Sequence, residues 1–121
     1  VALAAELKGA GLDFVCVSSG GVTPRIRIAV KPGYQVPFAQ AVKAGSGIAT
    51  RAVGLINTPR QAEEVITSGA ADMVAIGRGL LDNPRWGWHA AEELGVELTY
   101  PPQYARVAKK VWPGAALARP A

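Results

Sequence analysis

Apolar and polar positions along the chain fall into blocks of helical and strand type. Residues 1–8 place Leu3 and Leu7 on one helical face, and Gly9 and Gly11 stop that helix. Residues 12–17 form a nearly continuous apolar run, which predicts a parallel strand covered on both faces. A polar loop, Ser18-Ser19-Gly20-Gly21, and a long connection to Gln35 follow. Pro37 sits where a helix can begin without losing an N–H bond, and that helix continues through Phe38 and Val42 to about Gly45. Residues 49–56 read as a second strand. Thr58, Pro59 and Gln61 then make a capping-box start to a helix that turns Ala62, Val65 and Ile66 inward and stops at Gly69. Residues 72–76 form a third strand ending at Gly77-Arg78-Gly79. Asn83-Pro84 opens a last long helix through Trp86, Ala90 and Leu94, and residues 96–121 form a tail with a short helix around 104–111. Alternating helices and buried-type strands predict an α/β fold with a parallel sheet.

Composition narrows the classes. The chain has 121 residues, 50% hydrophobic and 18% charged, which suits one small globular domain rather than a disordered segment. Thirteen Lys and Arg against nine Asp and Glu leave a net charge of +4, but the basic residues are scattered and make no nucleic-acid footprint. No apolar run approaches the ~20 residues of a membrane span. A single cysteine, Cys16, excludes an internal disulfide and fits a reducing, cytoplasmic compartment. The chain starts at Val1 inside a predicted helix, with no Met and no secretion signal, and is therefore expected to be a fragment or partial gene product.

Ligands of parallel α/β folds bind beyond the carboxyl ends of the strands. Those ends here are Ser18-Ser19-Gly20, Gly54-Leu55-Ile56-Asn57 and Gly77-Arg78-Gly79. Glycines let backbone N–H groups approach an anion, a following helix N-terminus adds positive potential, and Arg78 can make a bidentate contact to phosphate. The plainer reading is that both glycines only turn the chain and Arg78 is solvated. The glycines fit neither a dinucleotide fingerprint nor a Walker A loop. His89, beside Trp86 and Trp88, reads as a packing or surface residue, and with Cys16 it makes no metal cluster. Cys16, in mid-strand, is expected to be buried and inert, and Asp72, at a strand's start, to be structural. The three tryptophans read as packing residues. The pattern yields an anion cradle without an acid, base or nucleophile.

Five segments then resemble one family: Asp13-Phe14-Val15-Cys16-Val17-Ser18-Ser19-Gly20-Gly21, Pro32-Gly33-Tyr34-Gln35-Val36-Pro37-Phe38, Ala52-Val53-Gly54-Leu55-Ile56, Asp72-Met73-Val74-Ala75-Ile76-Gly77-Arg78 and Pro102-Gln103-Tyr104-Ala105-Arg106. Together, and in order over nearly the whole chain, they resemble the C-terminal part of the Old Yellow Enzyme family of FMN-dependent NAD(P)H oxidoreductases, in its bacterial branch. The resemblance implies strands six to eight of a TIM (β/α)8 barrel, with residues 1–98 as a partial FMN-binding barrel and 99–121 as a C-terminal tail. It implies that Ser19 lies beside the flavin, that Gly54, Gly77 and Arg78 hold the FMN phosphate, and that Arg106 reaches the active site of a neighbouring subunit in a homo-oligomer. It further implies NADPH or NADH as reductant and a small-molecule activated alkene as substrate, with neither nucleic acid nor membrane as partner.

Two departures matter. The family's proton-donating tyrosine, its histidine pair and its flavin-tuning residues lie earlier in the barrel, outside this sequence. Arg51 stands where relatives have a small or apolar residue and is expected to snorkel or reach an edge. Three readings result. One is the C-terminal part of an FMN-dependent ene-reductase. The second, favoured for this polypeptide by itself, is an inactive half-barrel that binds FMN or phosphate weakly or only self-assembles, with strand edges and an apolar inner face exposed. The third, another phosphate-binding barrel, shares the glycine cradle but leaves the Pro-Gly-Tyr-Gln-Val-Pro-Phe segment unexplained.

Overall fold

The computed structural model describes residues 1–23, 25 and 27–118. Helix α1 (Ala2–Gly9) leads into strand β1 (Phe14–Val17), and α2 (Val36–Ser46) connects it to β2 (Ala49–Val53). Helix α3 (Pro59–Thr67) leads to β3 (Met73–Ala75), followed by α4 (Arg78–Asp82) and α5 (Trp86–Glu93). The tail holds a 3-10 helix (Pro102–Val107) and a short helix, α6 (Ala115–Ala118). The three strands pair in parallel in the order β1-β2-β3, with Cys16 opposite Arg51 and Arg51 opposite Met73.

The expected rhythm is observed, with differences that have local causes. Strand β2 stops at Val53, before the expected 56, because Gly54 (φ 119°) and Leu55 (φ 49°) leave extended backbone. Helix α3 starts as its residues dictate: the Thr58 hydroxyl accepts from Gln61 N at 3.2 Å, while Gln61 Oε1 accepts from Asn57 N at 3.2 Å. The last long helix starts three residues later than expected, and a short helix, α4, precedes it. Asn83 accepts from Arg85 N on its side chain at 3.1 Å and from Trp86 N on its carbonyl at 2.9 Å, so α5 begins only at Trp86.

Side chains alternate between the sheet's faces. Val17, Ala52 and Val74 share one face with Ala39 of α2 and Ala62 and Val65 of α3, and Trp86 packs against this core. The other face carries Phe14 and Cys16. Among the described residues no helix covers it, and Phe14 is 38% exposed and Cys16 exposed. The expectation of a buried Cys16, and of a first strand covered on both faces, is therefore corrected: within these residues only the helix-bearing face is covered. Arg51 lies across this open face, its guanidinium carbon 5.3 Å from the Phe14 ring centroid.

At the opposite end of the strands, Asp72 has the structural part expected of it. Its carboxylate accepts from Thr50 N at 2.9 Å and pairs with Lys43 Nζ at 2.9 Å, stitching α2, β2 and β3 together. The Lys43 hydrogen bond, then the Thr50 N–H, hold its carboxyl below the ordinary 3.8. A depressed folded pKa means stability that is fully present above the ordinary value and lost as pH falls through the folded one. Asp72→Ala is thus expected to lower the thermal midpoint at pH 7, with the gap to wild type closing below about pH 4. A pH-independent gap in calorimetric scans would count against this role.

Candidate functional site

The carboxyl ends of β1, β2 and β3 border a cleft of about 770 Å³. That volume lies in the range of small-molecule and cofactor sites. Gly54, Gly77 and Arg78 all line it, so the structure brings the glycines of two adjacent strand ends together with the arginine. Ser19 is not among the lining residues; its neighbour Ser18 is, and Ser19 reaches the cleft only through a hydrogen bond to Gln35. Arg106 lies outside the cleft, on an exposed part of the tail's 3-10 helix.

Gly54 is buried, and its conformation is one that only glycine adopts readily. A Cβ there would stand 2.8 Å from Tyr34 Cε1 and 3.1 Å from Gln35 Nε2. Its carbonyl accepts from Gly33 N at 2.9 Å, which binds the segment preceding α2 to the end of β2. Gly77 is the converse case. It is exposed, and a Cβ there meets nothing within 4 Å, so its backbone borders open space in the cleft. Leu55 holds a left-handed backbone (φ 49°), which costs a residue with a Cβ about 1–3 kcal/mol and fixes the sharp turn at the mouth.

At the start of α3 the Thr58 hydroxyl takes the N–H of Gln61, and α4, which follows Gly77, has five residues and so adds little dipole of its own. The cradle's polar character therefore rests on backbone at Gly54 and Gly77 and on the exposed Arg78 side chain.

Trp86 closes one side. Its indole Nε1 donates to Asn57 O at 2.8 Å, linking α5 to the turn after β2. His89 is half-buried on α5, where Asn83 Nδ2 donates to its Nδ1 at 2.9 Å, outside the cleft. Trp88 meets Tyr100 and Tyr104 edge-on, with centroids 5.1 and 5.3 Å apart, and Arg85 lies over Tyr104 at 4.9 Å, so the tail is anchored to α5. Tyr34 and Gln35 also line the cleft, although the residue pattern assigns them no role. The available signal is a glutamine directly before an apolar helix, flanked by Gly33 and Tyr34.

Residues 10–97 match the NADH:flavin oxidoreductase / NADH oxidase family. The chain is 54% identical over 101 residues to an NADPH dehydrogenase of Geobacillus thermodenitrificans (strain NG80-2), covering 84% of this chain and 29% of that protein. It is 48% identical over 106 residues to an NADPH dehydrogenase of Geobacillus sp. (strain WCH70), covering 88% of this chain and 31% of that one. The chain thus spans about three tenths of the length of these relatives.

Proposed function

The chain belongs to the NADH:flavin oxidoreductase / NADH oxidase family, and from that premise we propose that its cleft holds the phosphate end of FMN. Residues 1–98 then form strands six to eight of a (β/α)8 barrel, and 99–121 its tail. The observation that carries this reading is the meeting of Gly54, Gly77 and Arg78 in one cleft at the ends of adjacent parallel strands. Open space at Gly77 suits close backbone approach to a phosphate, while Gly54, packed against Tyr34 and Gln35, holds the turn that brings its backbone to the cleft. Arg78 adds a planar fork for phosphate oxygens, and Ser19 stands beside the flavin.

FMN held there by Gly54, Gly77 and Arg78 would supply hydride-transfer chemistry between NADPH (or NADH) and an activated alkene. The residues of this chain bind and orient. Gly54 and Gly77 present backbone, Arg78 neutralises phosphate charge, and Trp86 walls the site from water. Arg106, exposed in the tail, is available to a neighbouring protomer of a homo-oligomer. Among the described residues no helix is long and apolar enough to cross a membrane. A cytoplasmic enzyme is the setting that its single cysteine suits.

The open face with exposed Phe14 and Cys16 favours a second reading for residues 1–121 alone: an inactive half-barrel that binds FMN weakly or self-assembles. Titrating the chain into FMN and following flavin fluorescence tests cofactor binding in either case. Saturable quenching is the expected outcome; no quenching at any protein concentration opposes the proposal.

A further inference from the structure

We infer that Gln35 is a positioning residue that ties the end of β2 to the loop after β1 and so places Gly54 in the phosphate cradle, an inference that rests on the FMN reading above. Gln35 is 3% exposed, and a carboxamide so deeply buried is costly unless both of its ends are bonded. Its Oε1 accepts from the backbone N–H of Ser19 and from the Ser19 hydroxyl, the latter at 3.1 Å. Its Nε2 donates to Val53 O at 3.4 Å. Ser19 lies just beyond β1, and Val53 is the last residue of β2, directly before Gly54. One side chain therefore spans the carboxyl ends of neighbouring strands.

The pairing also fixes which way the amide points. Ser19 N offers a hydrogen and Val53 O offers a lone pair, so only a group with an acceptor on one side and a donor on the other satisfies both. Glutamate supplies the acceptor alone, and methionine, of similar length, supplies neither. Nε2 also lies 3.1 Å from where a Gly54 Cβ would stand, beside the Tyr34 ring. Gly33, Tyr34 and Gln35 thus grip the same strand end through a backbone bond, a ring face and a carboxamide. Gln35 sets where the Ser19 and Gly54 backbones lie, and Gly54 forms the β2 side of the cradle.

The test uses the full chain and two readouts. Backbone amide exchange of Ser19, measured without ligand, is expected to quicken about tenfold in Gln35→Met, the effect of one lost hydrogen bond, while the core amide of Val65 keeps its wild-type rate. Gln35→Glu, which keeps the acceptor, is expected to retain Ser19 protection, and it decides the matter if Gln35→Met does not fold. FMN titration is expected to show binding weakened about tenfold by Gln35→Met and little further by adding Ser19→Ala, because the two residues act as a unit. Unchanged Ser19 exchange in Gln35→Met, lost Ser19 protection in Gln35→Glu, or an equal rise at Ser19 and Val65 overturns the inference, as do additive losses of FMN affinity. If wild type binds no FMN, the cofactor reading fails by itself, and the exchange rates still decide whether Gln35 positions the loop.

Discussion

Gly54→Ala is expected to lower stability by about 2–5 kcal/mol and to remove saturable FMN binding, adding the costs of a disallowed dihedral and of overpacking. The dihedral cost arises because Gly54 sits at φ 119°, a region that side-chain-bearing residues rarely enter. The packing cost arises because the new methyl would stand 2.8 and 3.0 Å from two carbons of the Tyr34 ring. The ring has little room to withdraw. Tyr34 is flanked by Gly33, whose N–H is bonded to Gly54 O at 2.9 Å, and by Gln35, which is tied to Ser19 and Val53. Relief by backbone movement would therefore pull β2 from its register with β1. Urea denaturation checks the magnitude. Tyr34→Ala in the same chain separates the two costs: the double variant is expected to recover the packing part and retain the dihedral part. A Gly54→Ala chain as stable as wild type would mean that the turn after β2 is not held as described.

Arg78→Ala is expected to weaken FMN binding by about 1.5–3 kcal/mol, or roughly tenfold to a hundredfold, the usual effect of losing a charge-assisted hydrogen bond. Because Arg78 is exposed, salt screens it, and the loss should be largest at low ionic strength and shrink as salt is added. Riboflavin, which lacks the phosphate, should bind wild type and Arg78→Ala equally. Arg78→Lys keeps the charge but not the planar fork and is expected to fall between them. Isothermal titration with both flavins makes the comparison. An equal loss for FMN and riboflavin would assign Arg78 to the ring system or to folding instead of to the phosphate.

Much of the fold can be read from local residue chemistry. Thr58, Pro59 and Gln61 carry the start of α3 in their side chains, and the apolar runs around Val15, Ala52 and Val74 mark the parallel strands. The strand ends are less legible, because they depend on backbone angles that adjacent residues do not announce: Leu55 at φ 49° is a leucine in a glycine's conformation. Helix α4 is hidden for a related reason, since Gly77 and Gly79 flank Arg78 and lower helix propensity. Cys16 misleads because strand composition reports both faces while this chain covers one. At the site, Gly54, Gly77 and Arg78 are legible as glycine-ended strands with a cation. Gln35 is not, because its role lies in hydrogen bonds reaching 16 residues back to Ser19 and 18 forward to Val53, which no local window contains.

The proposed site puts FMN phosphate between the ends of β2 and β3. Amide chemical-shift mapping of the labelled chain during FMN titration tests it most directly. The largest perturbations are expected at Gly54, Gly77 and Arg78, saturating together and absent at matched riboflavin concentrations. Perturbations centred on the open face around Phe14 and Cys16, or none at saturating FMN, would contradict it.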